Sequence, residues 1–492
     1  MDVLLISPDH GNKKNNFPWG ILALGSYLKN IKNRDVELLD ASLFKETDFF
    51  NELDSHIYRT QLIGIGCFTT DVRSVKKFAD YIKKRRPEVK IIIGGPHAVL
   101  EPVQTCEYRN IDFVAYTEGE MTLDALIDQL SFETPDFDKV AGLIYKKHGK
   151  LIRTNPPECV CEYPINYDLL SPSVKKTFPD YIQVLTGRGC SYKCRFCYNS
   201  VIAQKFRPYS VVSVINELED IVNRYNPKVV YFRDENFFQD KNRIYEFIRL
   251  YREKQFHFSW RATCRANYIN DRYINRQLLL ELEKINCETL KMGIESGSQR
   301  VLNYLKKGTH IEGIKKAVRE VAKIKSIRGN YSFIVGLPEQ TSEEYIETID
   351  LIRYILKYEP EAEIIGPQYF RIYPGGSLYD EIVQKYNYAK PASFEDWAIR
   401  TDRKNDHFGL FKNVDYAWIP KAYKNLALHG DLLVLLYQKP ISFYFSRFER
   451  IPALPFALLA KIRIRMGWYR KLYEIKLIAR LLNIYRQYFP YK

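Results

Sequence analysis

The sequence lacks long hydrophobic runs and a framework of paired cysteines. No stretch of about 18 consecutive apolar residues occurs in its 492 residues, so no membrane-spanning helix is predicted. The first residues, Met1-Asp2-Val3-Leu4-Leu5-Ile6, are typical of a strand and not of a secretory signal peptide. The nine cysteines are odd in number and scattered, unlike the disulfide framework of small secreted proteins. These absences predict a cytoplasmic protein in a reducing compartment.

Internal repeats and low-complexity tracts are also absent, and the length allows two or three domains with full cores. The net charge of +15 is distributed unevenly. Residues 441–492 contain eleven Lys and Arg but only two acids, Glu449 and Glu474. This tail therefore carries +9 and leaves only +6 for the first 440 residues, so the basic character belongs mostly to one segment.

The first part of the chain alternates short apolar runs with helical patterns. Such alternation predicts a parallel, doubly wound sheet, which binds ligands beyond the carboxyl ends of its strands. We assign this Rossmann-like α/β domain to residues 1–135, with helices at 20–29, 72–85 and 121–130. Its strands are predicted at 3–7, 36–40, 62–68, 90–94 and 113–116.

Residues 136–180 are rich in Pro, Asp, Asn and Lys and are predicted to form a linker, with one hairpin over 142–153. Strand–helix alternation resumes over 181–380 and predicts a partial (β/α)6 barrel, whose active site gathers at the carboxyl ends of the strands. Residues 381–492 are predicted to be mostly helical. The six barrel strands are predicted at 182–186, 229–233, 257–261, 289–294, 331–335 and 368–372.

Three cysteines, Cys190, Cys194 and Cys197, follow the first barrel strand with the spacing C-x3-C-x2-C. Three thiolates on one tight loop can hold three corners of a [4Fe–4S] cluster and leave the fourth iron open for a substrate or cosubstrate. The alternatives are three structural cysteines or a zinc loop. A four-ligand zinc site usually contains two C-x2-C pairs, and only one is present here.

This loop resembles that of the radical S-adenosylmethionine (SAM) superfamily. The resemblance implies that the open iron chelates SAM, that Phe196 lies beside its adenine, and that Asp234 and Glu235 receive its ammonium group. It also implies that Glu295 accepts the ribose hydroxyls, that the small Ser296 allows close approach, and that Gly336 faces the adenine. The alternatives are a surface Asp-Glu turn, a helix N-cap by Ser296 or Ser298, and a simple Gly-Leu-Pro turn.

Further motifs resemble the branch of this superfamily that carries an N-terminal cobalamin-binding domain and includes methyltransferases and an anaerobic cyclase. Gly94, Gly95 and Pro96, followed by Glu118-Gly119-Glu120, are similar to that domain, in which glycines let a planar ring rest on the backbone. The motifs of the barrel are Asp234-Glu235-Asn236-Phe237, Gly293–Ser298, Gly336-Leu337-Pro338-Glu339 and Tyr373-Pro374-Gly375-Gly376.

One departure from the older cobalamin proteins concerns histidine. Their Asp-x-His-x-x-Gly motif supplies a cobalt ligand, whereas Asp9-His10-Gly11 has the wrong spacing and His97 fits a turn better than a ligand. We expect cobalamin to bind without a protein ligand on its lower face; the alternative is a domain that has lost cobalamin. Cys159 and Cys161 fit an inert linker better than a second metal site.

The resemblance implies an oxygen-sensitive enzyme that cleaves SAM to a 5′-deoxyadenosyl radical and methylates an unactivated carbon of a small molecule or lipid. A one-electron donor such as flavodoxin or ferredoxin would serve it. The alternatives are ring or C–C bond formation, a radical SAM enzyme without cobalamin, and a non-catalytic iron–sulfur scaffold. The basic, apolar tail at 441–492 predicts either a helical cap on the barrel or peripheral contact with anionic membrane, while nucleic-acid binding is not expected. If the tail lies on a membrane, Phe443, Phe445, Trp468 and Tyr469 are predicted to be buried in it.

Overall fold

The computed structural model describes residues 1–9, 17–160, 162–202, 205–400, 416–419, 430–438, 447–469, 472–478 and 481. In this part of the chain two larger sheets are formed, of seven and six strands, together with a two-stranded ribbon. Helices pack on both sheets, and the buried positions of their strands are mostly apolar. His10 and Cys161 lie outside the described residues.

The first sheet has the strand order β2-β1-β3-β4-β5-β6-β7. Strands β1 to β5 run parallel, and β6 and β7 form an antiparallel hairpin that pairs with β5. All five residues of β1 are buried, as expected for a central strand with helices on both faces. The strands are β1 Val3–Ser7, β2 Val36–Asp40, β3 Leu62–Gly66, β4 Lys90–Gly94, β5 Phe113–Ala115, β6 Leu143–Lys147 and β7 Lys150–Arg153.

The helices around the first sheet follow the predicted apolar spacing. In α3 the buried residues Val72, Val75, Phe78, Ala79 and Ile82 share one face, and three basic residues complement the helix dipole in its last turn. The helices are α1 Trp19–Asn30, α2 Glu46–Ile57, α3 Val72–Arg85, α4 Pro96–Leu100, α5 Pro102–Glu107 and α6 Glu120–Leu130.

The second sheet is an open, all-parallel barrel of six strands in the order β15-β14-β13-β12-β11-β8. The short β9 Gly187–Arg188 and β10 Arg207–Pro208 form the separate antiparallel ribbon beside it. The predicted α/β architecture with a partial (β/α)6 barrel is therefore confirmed. The barrel strands are β8 Tyr181–Val184, β11 Val229–Phe232, β12 Ser259–Cys264, β13 Cys287–Glu295, β14 Arg328–Val335 and β15 Glu363–Tyr369.

The last barrel strand differs from the prediction, which placed it at 368–372. It begins at Glu363 and contains Pro367, a residue that removes a backbone donor and is excluded from central strands. Because β15 is an edge strand, the proline is tolerated there. The helices of this region are α7 Pro172–Lys175, α8 Asn199–Ile202, α9 Val211–Tyr225, α10 Lys241–Glu253, α11 Arg276–Lys284, α12 Gln299–Tyr304, α13 Ile311–Val321 and α14 Ser342–Tyr358.

The segment predicted as a linker contains the expected hairpin, and its strands β6 and β7 extend the first sheet beyond residue 135. Beyond the barrel the described residues are mostly helical: α15 Ser377–Lys385, α16 Phe394–Arg400, residues 430–437, α17 Arg447–Met466 and residues 473–478. None of the helices within the described residues combines the length and the apolarity needed to cross a bilayer.

Candidate cofactor site

The three cysteines of the C-x3-C-x2-C loop lie at the carboxyl end of β8, and Cys194 is buried while Cys190 and Cys197 are half-buried. Each sulfur has a nitrogen donor nearby. Asn236 Nδ2 lies 3.8 Å from Cys190 Sγ, and Arg265 Nη1 lies 3.7 Å from Cys194 Sγ. The backbone N–H of Asn199 points to the Cys197 thiol. Hydrogen bonds of this kind favour the anionic form of sulfur that iron requires.

Cys190 and Cys194 are close enough to Cys197 to affect the pKa of its thiol. Burial raises the pKa of its thiol, and the neighbouring Cys194 and Cys190 raise it further, while Lys307 opposes them. Within the described residues no three His, Cys, Asp or Glu side chains crowd around a single metal-sized point. The irons of a [4Fe–4S] cluster occupy separate corners, so its three thiolates stand further apart than the ligands of one ion. The donor set fits the cluster.

Arg195 anchors the middle of the cysteine loop to the barrel. Its guanidinium lies 4.6 Å from the ring centroid of Tyr304 and forms an ion pair with Glu381. Its backbone N–H donates to the carbonyl of Leu305 over 3.0 Å. The loop is therefore fixed from both the side chain and the backbone of one residue.

The Tyr373-Pro374-Gly375-Gly376 motif closes over the same loop. A Cβ on Gly376, which has a φ of +85°, would lie 2.7 Å from the carbonyl oxygen of Arg195. The N–H of Leu378 donates to that carbonyl over 3.1 Å. Glycine is needed at this position because the chain passes directly against the backbone of the cysteine loop.

The first domain contacts the cysteine loop through the acidic residues that follow β5. Glu120 accepts from Arg188 Nη1 over 2.6 Å and from the Tyr163 hydroxyl over 2.6 Å, and all three groups are largely buried. Burial alone would raise the pKa of Glu120, but the charge of Arg188 and the hydrogen bonds hold it below its usual value. Glu118 binds Arg207 of β10.

These contacts bring the carboxyl edges of the two sheets face to face. Glu118 and Glu120 follow a strand of the first sheet, whereas Arg188 lies between β8 and Cys190. Helix α4, which follows β4, packs against α8, which follows Cys197. A ligand bound at either edge would therefore be covered by the other domain.

The carboxylates predicted at the end of β11 have different surroundings. Asp234 is buried and accepts from the N–H and the hydroxyl of Thr186 over 2.7 and 2.6 Å. Burial raises its pKa to about 6, against the opposing charge of Arg243 and these hydrogen bonds. Glu235 accepts from the N–H of Gly189 over 3.1 Å, and its side chain is exposed. The surrounding protein nevertheless raises its pKa by desolvation, so Glu235 lies in a recess that solvent reaches. Asp234 thus ties β11 to β8, and Glu235 is the better placed of the two for a ligand.

Glu295 ends β13 at a β-bulge and has a φ of 72°, a strained conformation for this residue type. Its carboxylate accepts from Lys307 Nζ over 2.7 Å in a buried pair. A Cβ at Gly293 would meet the ends of the Glu295 and Lys307 side chains, so a larger residue there would displace this pair. The bulge at the carboxyl end of β13 sets the direction of the Glu295 side chain.

Ser296 is fully buried, and its hydroxyl lies 3.3 Å from that of Thr348 on α14. Ser298 occupies the N-cap position of α12, as the alternative interpretation has it, but its hydroxyl donates to Glu344 over 3.1 Å and makes no capping hydrogen bond. Phe196 packs half-buried against the apolar core of the first domain, with Lys307 Nζ 5.9 Å from its ring centroid.

Two predicted glycine positions have structural reasons of their own. A Cβ at Gly336 would meet the ring of Tyr369 at 3.1 Å, and Trp418 Nε1 donates to its carbonyl over 3.1 Å, so the strand edge is already covered. At Gly95, with a φ of +90°, a Cβ would lie 3.0 Å from the backbone nitrogen of Cys67. The roles of Gly336, Gly94, Gly95 and Pro96 toward a ligand stay predictions.

His97 cannot reach a ligand at the sheet edge. Its ring is fully buried, lies 5.5 Å from the ring of Trp397 and contacts the Thr69 hydroxyl over 3.1 Å. Desolvation lowers its pKa to about 3, so it stays neutral. The predicted turn is wrong, because His97 lies in helix α4, where it is a buried packing residue.

Sequence reasoning missed three residues that surround the cysteines: Asn236, Arg265 and Lys307. Arg265 directly follows β12 and its guanidinium lies 3.5 Å from the ring centroid of Tyr192 in the cysteine loop. Its position after a barrel strand was the available sign, since such residues line the active edge. Lys307 follows α12 in a turn, and nothing in its sequence context marks it.

The comparisons with known proteins agree with this geometry. Residues 184–352 match the Radical SAM superfamily and residues 14–127 match the B12 binding domain. The chain is 30% identical over 373 residues to the uncharacterized methyltransferase PH0819 of Pyrococcus horikoshii, covering 74% of this chain and 78% of that protein.

Two further similarities extend over most of the chain. The anaerobic magnesium-protoporphyrin IX monomethyl ester cyclase of Rubrivivax gelatinosus is 22% identical, with 80% of this chain and 73% of that protein covered. The solved structure of the radical SAM methyltransferase TsrM from Kitasatospora setae, with cobalamin and a [4Fe–4S] cluster bound, has a TM-score of 0.65. It is 16% identical, with 79% of this chain and 76% of TsrM covered, and shows the shared fold.

The two domain matches assign a [4Fe–4S] cluster, SAM and cobalamin as the cofactors. The thiol loop and the facing sheet edges are consistent with all three. Together with the relative of 30% identity, they show that this chain belongs to the cobalamin-binding radical SAM enzymes.

Proposed function

We propose that the protein transfers a methyl group to an unactivated carbon of a small-molecule or lipid substrate. The observation that carries this proposal is the position of the cysteine loop, at the carboxyl edge of the barrel and opposite the carboxyl edge of the cobalamin-type domain. When bound, the three cofactors supply one-electron cleavage of SAM and delivery of a methyl group.

The residues of the loop have separate tasks in this proposal. Cys190, Cys194 and Cys197 hold the cluster, and the donors from Asn236 and Arg265 stabilise negative charge on two of the sulfurs. Positive charge close to the sulfurs favours the reduced state and so helps the protein accept an electron from a donor such as flavodoxin or ferredoxin.

The carboxylates of the barrel mouth bind the cosubstrate. Glu235 is open within the recess beside Gly189 and receives the ammonium group of SAM. Glu295 accepts the ribose hydroxyls, and Lys307 holds its side chain in position until SAM enters. Phe196 borders the adenine, and the bonds of Asp234 to Thr186 keep the start of the cysteine loop in register.

The facing domain excludes water from the reaction. The Glu120–Arg188 and Glu118–Arg207 pairs seal one side of the interface, and the contact of α4 with α8 seals another. A desolvated space is required because a carbon radical or a reactive methyl donor would otherwise be consumed by side reactions.

A count of the products of SAM tests this proposal. Methyl transfer through radical chemistry splits one SAM to 5′-deoxyadenosine and converts a second to S-adenosylhomocysteine, so both should form in equal amounts. The anaerobic holoenzyme should be given methyl-deuterated SAM, a reductant and a metabolite extract, and a product should gain the labelled methyl mass. The matched control is the variant in which Cys190, Cys194 and Cys197 are all replaced by Ala.

Release of 5′-deoxyadenosine without S-adenosylhomocysteine would contradict methyl transfer. It would favour the second candidate, ring or C–C bond formation, which the similarity to the cyclase supports. Purification without bound cobalamin, and failure to take it up, would instead favour an enzyme that has lost this cofactor. No cleavage of SAM at all would favour the non-catalytic scaffold.

A further inference from the structure

Helix α17 (Arg447–Met466) packs on the barrel in an unusual way. Over residues 453–466, whose side chains the structure describes, the side chains that it buries are mostly small, whereas large apolar side chains point to solvent. The buried residues are Ala453, Ala457, Ala460 and Ile464, at 0 to 3% exposure. The exposed residues are Leu454, Leu458, Leu459, Ile462 and Met466, at 42 to 62%. We name these five residues the leucine face.

The burial pattern of α17 is the reverse of that of an ordinary surface helix. A helix that only caps the barrel would bury its large apolar residues and expose polar ones, as α3 does. Here the alanines bring the backbone close to α14, and the leucine face remains outside. Exposed contiguous apolar surface in a folded protein marks a site of interaction.

The apolar surface continues beyond the helix. After the turn at Gly467, the ring of Trp468 is 57% exposed, and Tyr473 and Leu477 of the next helical segment are 71% and 52% exposed. Arg463 forms an ion pair with Glu474 and donates to the carbonyl of Trp468, which holds this segment against α17. The two segments thus present their apolar residues as one fixed unit.

Positive charge borders this surface. Lys461, Arg465 and Lys476 stand beside its apolar residues, in a tail with a net charge of +9. A groove of about 760 Å³ lies between α14 and α17. Its lining contains four basic residues and two acidic ones: Lys315, Arg353, Lys357 and Arg465, and Glu347 and Asp350. An apolar strip with basic margins and a tryptophan at its end is complementary to the head groups and the upper acyl chains of an anionic bilayer.

We propose that the leucine face docks on a membrane that contains anionic lipid, with α17 lying in the plane of the interface. Lys461 and Arg465 reach the phosphates while their apolar stems stay beside the acyl chains. This inference goes beyond the proposed function and does not depend on it, because it rests on the exposed residues of α17 and of the segment after it.

Vesicle binding of the full-length holoenzyme tests the proposal. Vesicles of phosphatidylcholine and phosphatidylglycerol in equal parts should sediment the protein at low salt, and binding should weaken as the salt rises. Pure phosphatidylcholine should bind it weakly. The variant Leu454→Gln/Leu458→Gln/Ile462→Gln keeps good helix formers. It should lose at least about tenfold in affinity for the vesicles, since it removes three apolar side chains that the membrane would bury.

Matched controls distinguish binding through the leucine face from non-specific binding through apolar or basic residues elsewhere. Phe132→Gln/Val212→Gln/Ile399→Gln changes three apolar residues of similar exposure elsewhere and should bind like the wild type. Lys461→Gln/Arg465→Gln should weaken binding by about fivefold for each charge removed. Lys150→Gln/Lys325→Gln removes two exposed charges far along the chain and should have a much smaller effect.

Trp468 provides a second readout that does not require a folded triple variant. It is the most exposed of the five tryptophans, so quenching by brominated lipid should affect it and disappear in Trp468→Phe. Equal binding of the wild type and the leucine-face variant would overturn the proposal. A second outcome would overturn it as well: neither protein binds vesicles, the wild type is a dimer, and the leucine-face variant is a monomer. The leucine face would then join two copies of the chain.

Discussion

The two parallel sheets meet through their carboxyl edges, but the two edges are built from different chemistry. In the first sheet, Gly95 packs on the backbone of Cys67, and Glu118 and Glu120 are occupied by arginines of the other domain. In the barrel, thiols and carboxylates surround an accessible recess. The first edge therefore supplies shape and attachment, whereas the second supplies ligands and charge. Substitutions at the two edges should accordingly have different consequences.

The largest effect should come from substitutions at the carboxyl edge of the barrel, which we call the ligand edge. Replacing Cys190, Cys194 and Cys197 together by Ala should remove the cluster completely, because no thiolate of the loop remains to bind iron. Iron content and charge-transfer absorption after anaerobic reconstitution measure this. The matched control, Cys106→Ala/Cys159→Ala/Cys264→Ala, should keep about four irons per chain. Full iron content in the first variant would show that the loop is not the cluster site.

Substitutions at the carboxyl edge of the first sheet, which we call the attachment edge, should affect the stability of the protein and not its cluster. Glu120→Gln leaves the buried Arg188 with Glu118, at 3.7 Å, as its remaining anionic partner and should lower the free energy of unfolding by up to about 3–5 kcal/mol. Because the pKa of Glu120 is lowered in the folded state, its contribution is present above about pH 4.5 and is lost as the pH falls.

Denaturant titration of the holoenzyme at several pH values measures this contribution. Asp180→Asn, which breaks the largely exposed pair with Lys228, is the control and should cost less than about 1 kcal/mol. A loss as small at Glu120 as at Asp180 would mean that the Glu120–Arg188 pair does not hold the two domains together.

The affinity for SAM should depend on one carboxylate of the ligand edge, Glu295. Glu295→Gln should weaken SAM by about 1–3 kcal/mol if the carboxylate accepts ribose hydroxyls in this buried position. Isothermal titration with the reconstituted protein gives the dissociation constant. Glu288→Gln, on the same strand but paired with Arg261, serves as the control. An unchanged constant for both variants would leave Glu295 as a partner of Lys307 only.

The smallest effect concerns a carboxylate away from both edges. Burial raises the pKa of Glu217 on α9 to about 7, although its bond to the Tyr167 hydroxyl opposes the shift. Because the folded pKa is raised, the folded state holds the proton longer, and stability falls as the pH rises from about 4.5 to 7.

Glu217→Gln should therefore stabilise the protein by about 1–2 kcal/mol at pH 8 and flatten this slope. Thermal unfolding across the pH range measures the effect. Glu219→Gln, on the same helix and paired with Lys254, should leave the slope intact. A slope that persists in Glu217→Gln would place its origin in other buried acids whose pKa is raised, such as Asp234, Glu101 or Glu359.

The sequence predicts most of the fold because its signals are local. Apolar runs of four or five residues between helical patterns predict the strands of both sheets, and the cysteine spacing marks the cluster loop. The start of β15 is missed because Pro367 argues against a strand until its edge position is known. The roles of Asp234 and Arg195 are not visible, since their partners Thr186 and Glu381 lie far away in sequence.

The tail shows the same limit. Its alternation of basic and apolar residues indicates an amphipathic helix, but not which residues face the barrel. Trp468 is exposed, whereas Tyr469, predicted to face a membrane with it, is buried with its hydroxyl 3.3 Å from Asp350. Phe443 and Phe445, which carried the same prediction, lie outside the described residues. The small alanines determine which face of α17 packs on the barrel. This choice depends on tertiary contacts and is not visible in the local sequence.

The support that Gly376 and Glu381 give to the cysteine loop has a consequence for biosynthesis. Arg195 and its partner Glu381 are 186 positions apart, so the loop leaves the ribosome long before the residues that close over it. During that interval the nascent thiols are open to iron–sulfur carriers and equally to oxidants. Translation itself thus provides a period for loading the metal, which ends when the last part of the barrel docks.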